Sequence, residues 1–150
     1  MNKTLNAALC LLARREYSAY ELAEKLKQKA CSAEDIRDAI LYCQTQALQS
    51  DRRYAEAVYR LRTGQGYGPL RISQELQVKK IEKSLINAIF LEQASDWKAL
   101  ALKALDKKFK VETKAEYLAK QRFLLYRGFS SDIIKMVLND EEFRDKTSIF

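Results

Sequence analysis

Histidine is absent from this chain of 150 residues, and only four glycines, one proline and three cysteines occur in it. Without histidine the commonest general acid–base group is missing, and a zinc site would have to be built from cysteines and carboxylates alone. So little glycine and proline argues against a many-turned β protein, and no stretch alternates apolar and polar residues long enough to read as a strand. Cys10, Cys31 and Cys43 are odd in number, lack a C-x-x-C spacing and stand in apolar contexts. They read as buried free thiols in a reducing compartment. No segment approaches the roughly 20 apolar residues of a membrane span. Lys3 followed by residues 5–13 superficially suggests a signal peptide, but Asn6 interrupts the run and Arg14-Arg15 stand where a small-residue cleavage site belongs. The expectation is a cytoplasmic monomer without cofactor, metal or membrane partner.

What the chain does have is charge on an apolar framework. Apolar residues make up 47%, enough for a core, and charged residues 31% against a usual ~25%. The net charge of +7 is uneven. Residues 1–50 carry seven basic and six acidic side chains, residues 51–80 seven and three, and Lys98 to Lys135 ten and four. Such a balance suits phosphate backbones, anionic membranes or acidic protein surfaces, and plain solubility accounts for a modest excess equally well.

The stretch from Ser50 to Leu76 is the most informative. It reads as helix, glycine turn, helix, with Asp51 as N-cap and Tyr54, Val58 and Leu61 sharing a face. Gly64, Gly66 and Gly68 fall within five residues, and Pro69 follows in the position proline favours at a helix start. Leu70, Ile72 and Leu76 are expected inside, with Arg71 and Glu75 paired at i, i+4. The glycines lack the Gly-Lys-Ser/Thr ending of a phosphate-binding loop, so a helix C-cap and turn is the better reading.

The chain repeats itself. Cys31, Ile36 and Ile40 are offset by 0, 5 and 9, as are Ile81, Ile86 and Phe90, and Phe129, Ile134 and Leu138. Leu26, Leu76 and Leu125 precede these sets. A period near 50 residues marks a helical array in which each unit needs a neighbour to finish its core. The predicted fold is therefore all-α, with three tandem three-helix, helix-turn-helix-like repeats in a curved, elongated array. The expected bounds are 1–48, 49–95 and 96–138, with a charged tail over 139–150. In the first unit helices are predicted near Leu5–Glu16, Ala19–Lys29 and Ala33–Gln46, the last opened by a capping-box spacing from Ser32 to Asp35. In the third they are predicted from Asp96-Trp97 to Phe109, from Lys114 to Tyr126 and from Ser131 to Leu138, with Gly128 as a C-cap.

Basic residues interleaved with aromatics carry the functional signal. One group is Arg52, Arg53, Tyr59, Arg60, Arg62, Tyr67, Arg71, Lys79 and Lys80; a second is Lys107, Lys108, Lys110, Arg122, Tyr126 and Arg127. Arginine with tyrosine suits protein interfaces and nucleic-acid backbones alike. The plainer alternative is a solvated helix face. No serine or cysteine has an evident general-base partner, and an enzyme is not expected.

The middle stretch also resembles the signature of the RecX family, regulators of the bacterial recombinase RecA. The match rests on Asp51-Arg52-Arg53-Tyr54-Ala55-Glu56, Arg60, and Gly66-Tyr67-Gly68-Pro69-Leu70-Arg71-Ile72 with Glu75-Leu76. Residues 11–18 with Glu21-Leu22 and Lys25-Leu26 are similar to the family's first repeat. Phe123-Leu124, Arg127-Gly128-Phe129-Ser130 and Ile133-Ile134 are similar to its third, with Tyr126 where many relatives carry arginine. The resemblance implies a negative modulator in homologous recombination, DNA repair and the SOS response. Such a protein binds the RecA–single-stranded DNA filament and lowers its ATP hydrolysis and strand exchange, with the DNA strand as a further contact. The candidate contact residues are Arg52, Arg53, Tyr59, Arg60, Arg62, Tyr67, Arg71, Lys79, Lys80, Lys107, Lys108 and Arg127. Two rivals stand beside it: a helix-turn-helix transcription regulator and a scaffold adaptor that touches no nucleic acid.

Overall fold

The structure is a computed structural model that describes residues 2–109 and 117–147, with side chains to residue 139. Nine α-helices and no strand occur among the described residues. They are α1 (Lys3–Arg14), α2 (Ala19–Gln28), α3 (Ala33–Thr45), α4 (Asp51–Gly64), α5 (Pro69–Val78), α6 (Lys83–Gln93), α7 (Trp97–Lys108), α8 (Tyr117–Arg127) and α9 (Ser131–Thr147). The helix expected to end at Leu138 therefore runs to Thr147. The predicted start at Lys114 lies outside the described residues.

Two compact units form. One takes the described residues of Met1–Val58 and Leu76–Leu91, the other those of Tyr59–Glu75 and Glu92–Phe150. Residues of the expected middle repeat, 49–95, fall in both units, with α4 and α5 each contributing to the two.

In the first unit Ala8, Leu11, Tyr17, Leu22, Leu26, Ile36 and Cys43 make one buried cluster. The buried side of α1 is Thr4, Ala8 and Leu11 at i, i+4, i+7. Cys10 lies off that stripe and is exposed, contrary to expectation, whereas Cys43 is buried and burial pushes its thiol pKa up. Helix starts are capped by side chains that take up otherwise unpaired amides. The Asn2 Oδ1 accepts from the Leu5 amide, the Ser18 Oγ from Glu21 and the Ser32 Oγ from Asp35. The cap of α4 is Ser50, whose Oγ accepts from the Arg53 amide. Asp51, expected in that role, instead accepts from the Ala19 amide at 2.8 Å and from Gln49 Nε2 at 3.0 Å, and so helps to start α2.

Within α4 the buried residues are Tyr54, Ala55 and Tyr59. Leu61, seven residues after the buried Tyr54 and expected on its face, is nevertheless 54% exposed. Leu70 is exposed too, on the side of α5 opposite the buried Ile72 and Leu76.

The repeated spacing corresponds to a repeated turn. After α2, α5 and α8 a residue takes a left-handed conformation: Ala30 (φ 61°), Lys80 (φ 62°) and Gly128 (φ 92°). The next amide, of Cys31, Ile81 or Phe129, donates back to the carbonyl of Leu26, Leu76 or Leu124 at 3.1 to 3.2 Å. This is the Schellman arrangement, which satisfies the last carbonyls of a helix. It identifies Leu124 as the third member of the leucine set. Leu125, one residue on and about 100° round the helix, is 52% exposed.

In the second unit Ala101, Leu105, Leu124, Phe129, Ile134, Val137 and Leu138 form the buried cluster. Here two glycine turns meet backbone to backbone. The Gly68 amide donates to the Arg127 carbonyl at 2.6 Å, and the Leu70 amide to the Gly128 carbonyl at 2.9 Å. A Cβ on Gly68 would lie 2.6 Å from the carbonyl carbon of Gly128. Gly68 has no positive φ, so it is the close approach that requires glycine there. Gly64, at the end of α4, is different: a Cβ there meets nothing within 4 Å.

Gly68→Ala should therefore lower stability by about 1–3 kcal/mol through overpacking. Gly64→Ala should leave it unchanged or raise it by up to ~1 kcal/mol. Urea unfolding midpoints of both variants against wild type check the pair, and equal midpoints for Gly68→Ala and wild type would contradict the close approach.

Candidate functional site

The twelve basic and aromatic candidates are used in different ways. In the first unit Arg53 Nε donates to Glu16 Oε1 at 3.1 Å. Lys79 Nζ lies 3.1 Å from Glu21 Oε2, and Glu21 also receives Arg15 at 3.0 Å. Burial works to raise the Glu21 pKa, but the hydrogen bonds from Arg15 and Lys79 overcome it and hold the carboxyl below its ordinary range. Arg52 is exposed and stands 3.8 Å from Glu56. Lys80 occupies the left-handed turn, with its Nζ 5.9 Å from the Tyr20 ring centroid.

The remaining candidates belong to the second unit. Tyr59, expected as a surface contact, is 2% exposed, packs edge-on to Trp97 at 5.9 Å and shares a hydrogen bond with Ser95. It is core, because it falls on the same face of α4 as Ala55. Arg62 grips Glu75 with Nε and Nη2 at 2.8 and 2.7 Å. That takes the carboxylate expected to pair with Arg71. Arg60 is exposed and makes no side-chain bond among the described residues.

Tyr67, Arg71 and Arg127 come together as part of a stack of five side chains. The Arg71 guanidinium lies 5.0 Å from the Tyr126 ring and 4.4 Å from the Tyr67 ring. The Arg127 guanidinium lies 4.8 Å from Tyr67 and 5.1 Å from Phe123. Aromatic rings and cations thus alternate from Tyr126 through Arg71, Tyr67 and Arg127 to Phe123. Attraction between a cation and a ring face holds such pairs. Each guanidinium also donates through Nη1 to a carbonyl, Arg71 to Tyr126 and Arg127 to Gln65. A guanidinium carries five donors, so others remain for a partner.

Beside Arg127 the end of α4, α7 and α8 enclose a cleft of about 270 Å³. Leu100, Ala104 and Phe123 line it, with Lys103, Lys107, Lys108 and Arg127, and no carboxylate lines it among the described residues. Lys107 and Lys108 were candidates in the sequence; Lys103 and Phe123 were not. Lys103 sits one turn before Lys107, a spacing that could have flagged it. Lys110 lies outside the described residues. No group of three potential metal ligands and no helix long and apolar enough to cross a membrane occurs among the described residues.

Residues 50–88 match the second three-helix domain of RecX, and residues 5–43 the first. The regulatory protein RecX of Legionella pneumophila (strain Corby) is 46% identical over 143 residues, covering 93% of this chain and 95% of its own. The chain belongs to the RecX family. The regulatory protein RecX of Vibrio vulnificus (strain CMCP6) is 39% identical over 139 residues, 91% of each chain. The crystal structure of RecX from Lactobacillus salivarius shares the fold, with a TM-score of 0.78 over 94% of this chain and 96% of that one at 22% identity. Both curated relatives carry the name of a regulatory protein.

Two outcomes follow from how these side chains are used. Because the Glu21 pKa is depressed in the folded state, its contribution is present above the unfolded value, about 4.3, and is lost as pH falls through the folded one. Glu21→Gln should cost on the order of 1 kcal/mol at neutral pH, and the difference from wild type should narrow as pH falls and the carboxyl takes up its proton. Unfolding followed from pH 7 down to pH 3 checks this; a gap that does not shrink with acid would contradict it. Tyr59→Phe should cost about 1 kcal/mol through the lost hydrogen bond while partner binding stays at the wild-type level. Weaker binding at unchanged stability would return Tyr59 to the interface.

Proposed function

We propose that the protein is a negative modulator of the RecA recombinase, binding the RecA–single-stranded DNA filament and lowering its ATP hydrolysis and strand exchange. It acts in the cytoplasm as a monomer, without cofactor and by binding alone. Membership of the RecX family supports the partner. The observation that carries the contact surface is the group of cations in the second unit that face no carboxylate among the described residues: Arg60, the stacked Arg71 and Arg127, and Lys103, Lys107 and Lys108. Such a surface suits acidic recombinase surface, the DNA backbone, or both.

A transcription regulator of the helix-turn-helix kind is less well supported. Glu34 and Asp35 stand in the first turn of α3 and Asp132 in that of α9, where they would repel phosphates. Of the three helices that close the repeats, α3, α6 and α9, only α6 has no acidic residue in its first turn and suits a groove-reading helix.

The test is RecA's hydrolysis of ATP on single-stranded DNA. Reversing Arg60, Lys107 and Lys108 to Glu changes exposed residues outside the core, so circular dichroism and melting should stay close to wild type. The half-inhibitory concentration should nevertheless rise at least tenfold, since like charges across an interface cost several kcal/mol. Wild-type inhibition should weaken as ionic strength passes ~0.1 M, where the Debye length is ~10 Å. Glu34→Lys with Asp38→Lys is the control and should inhibit like wild type. A folded reversal variant that inhibits at wild-type concentrations would remove this surface from the interface.

A further inference from the structure

We infer that the cleft at the end of α4 takes an acidic peptide segment of a protein partner, anchored by one bulky apolar side chain. The inference deepens the functional reading above and rests on it for the partner's being a protein. The volume of about 270 Å³ falls just below the ~300–1,000 Å³ of small-molecule sites, which suits one side chain better than a whole cofactor. Leu100, Ala104 and the Phe123 ring offer that side chain apolar surface. Among the described residues that line the cleft there are four cations and no carboxylate, which defines the sign of what surrounds it. Lys103 and Lys107 are one helical turn apart, ~6 Å along the axis. Alternate residues of an extended peptide are ~6.7 Å apart, so two acidic side chains on one face of a strand can meet both lysines.

Single-stranded nucleic acid fits less well. It binds proteins by stacking bases on open aromatic faces. Among the described residues the only ring lining this cleft is Phe123, which has the Arg127 guanidinium 5.1 Å from its centroid and the Phe109 ring edge-on at 5.6 Å. A second, independent observation concerns Gly64. It is helical, has no positive φ, and a Cβ there would meet nothing within 4 Å. Glycine in a helix weakens it relative to alanine, and nothing in the packing among the described residues calls for it. What the missing side chain does is leave the rim of the cleft open.

The probe is a fluorescein-labelled peptide of four glutamates around a central phenylalanine, with the same peptide carrying a central alanine and an oligothymidylate as comparators. Fluorescence anisotropy is read without recombinase, DNA or ATP, and RecA inhibition by the same wild-type preparation is measured in parallel. Wild type should bind the phenylalanine peptide about tenfold more tightly than the alanine peptide. Lys103→Ala with Lys107→Ala should weaken binding of both peptides. Gly64→Leu adds bulk at the rim and changes no charge. It should erase the preference for phenylalanine while melting at or above the wild-type temperature. Equal affinity for the two peptides would mean that charge alone acts, and would overturn the inference. So would an unchanged preference in Gly64→Leu, or an oligothymidylate that displaces the phenylalanine peptide at matched charge. If the peptide arm fails while the preparation inhibits RecA, the cleft is not the site and the proposed function stands. If inhibition fails, it is the function that is lost.

Discussion

The second unit depends on a contact between two backbones. Gly68 opens α5 and Gly128 closes α8; a side chain on Gly68 would meet the Gly128 backbone, and one on Gly128 would meet Arg71. The Gly68 and Leu70 amides, which a helix start would otherwise leave unpaired, are satisfied by the Arg127 and Gly128 carbonyls. Residues on either side of the two glycines are therefore brought into register. Tyr67 and Arg71 come from one turn, Tyr126 and Arg127 from the other, and the alternation of rings and cations follows from that register. A side chain at position 68 would push the turns apart and disperse the stack without touching any member of it.

The repeat in the chain was legible, though its cause was not. Offsets of 0, 5 and 9 from Cys31, Ile81 and Phe129 reflect a chain that leaves one helix by a Schellman turn and begins the next. Ser32, with an acidic residue three positions on, announced the start of α3 correctly. Gly128 announced its turn, because glycine is the residue that most readily takes a positive φ. Ala30 and Lys80 take the same conformation and announce nothing, since both residues favour a helix by propensity. Leu125 was mistaken for Leu124 for a related reason: in a run of two leucines only packing decides which turns inward. Gly68 was recognised as part of a turn, but its steric role depends on a partner sixty residues away.

Charge is where local reading fails most. Composition states how many cations there are, and i, i+4 spacing proposes neighbours for them. Arg53 pairs with Glu16 across 37 residues, and Arg62 with Glu75 across 13. Lys79 is held by Glu21. None of these partners could be read from helical spacing. Once such pairs are taken out, the arginine-rich α4 supplies fewer outward cations than its sequence suggests, and lysines of α7 supply more. Tyr59 illustrates the same limit for aromatics. Its neighbours Arg60 and Arg62 suggested an interface, while the position of Ala55 and Tyr59 on one face of α4 makes it core.

The cations that remain differ in how much freedom they have left to lose. Arg71 and Arg127 are each held between two rings and bonded to a carbonyl, so their conformational freedom is already spent in folding. Immobilising a long free side chain at an interface costs ~0.5–1.5 kcal/mol. A partner group that meets a stacked guanidinium avoids most of that cost and meets a planar fork in a defined orientation. The exposed lysines of α7 are point charges on mobile stems, which attract an anionic surface from a distance and adapt to it on arrival. Selectivity for the partner's geometry would then sit with the arginines, and rate of encounter with the lysines. The two glycine turns bear on both roles unequally, because they order the arginines and leave the lysines free.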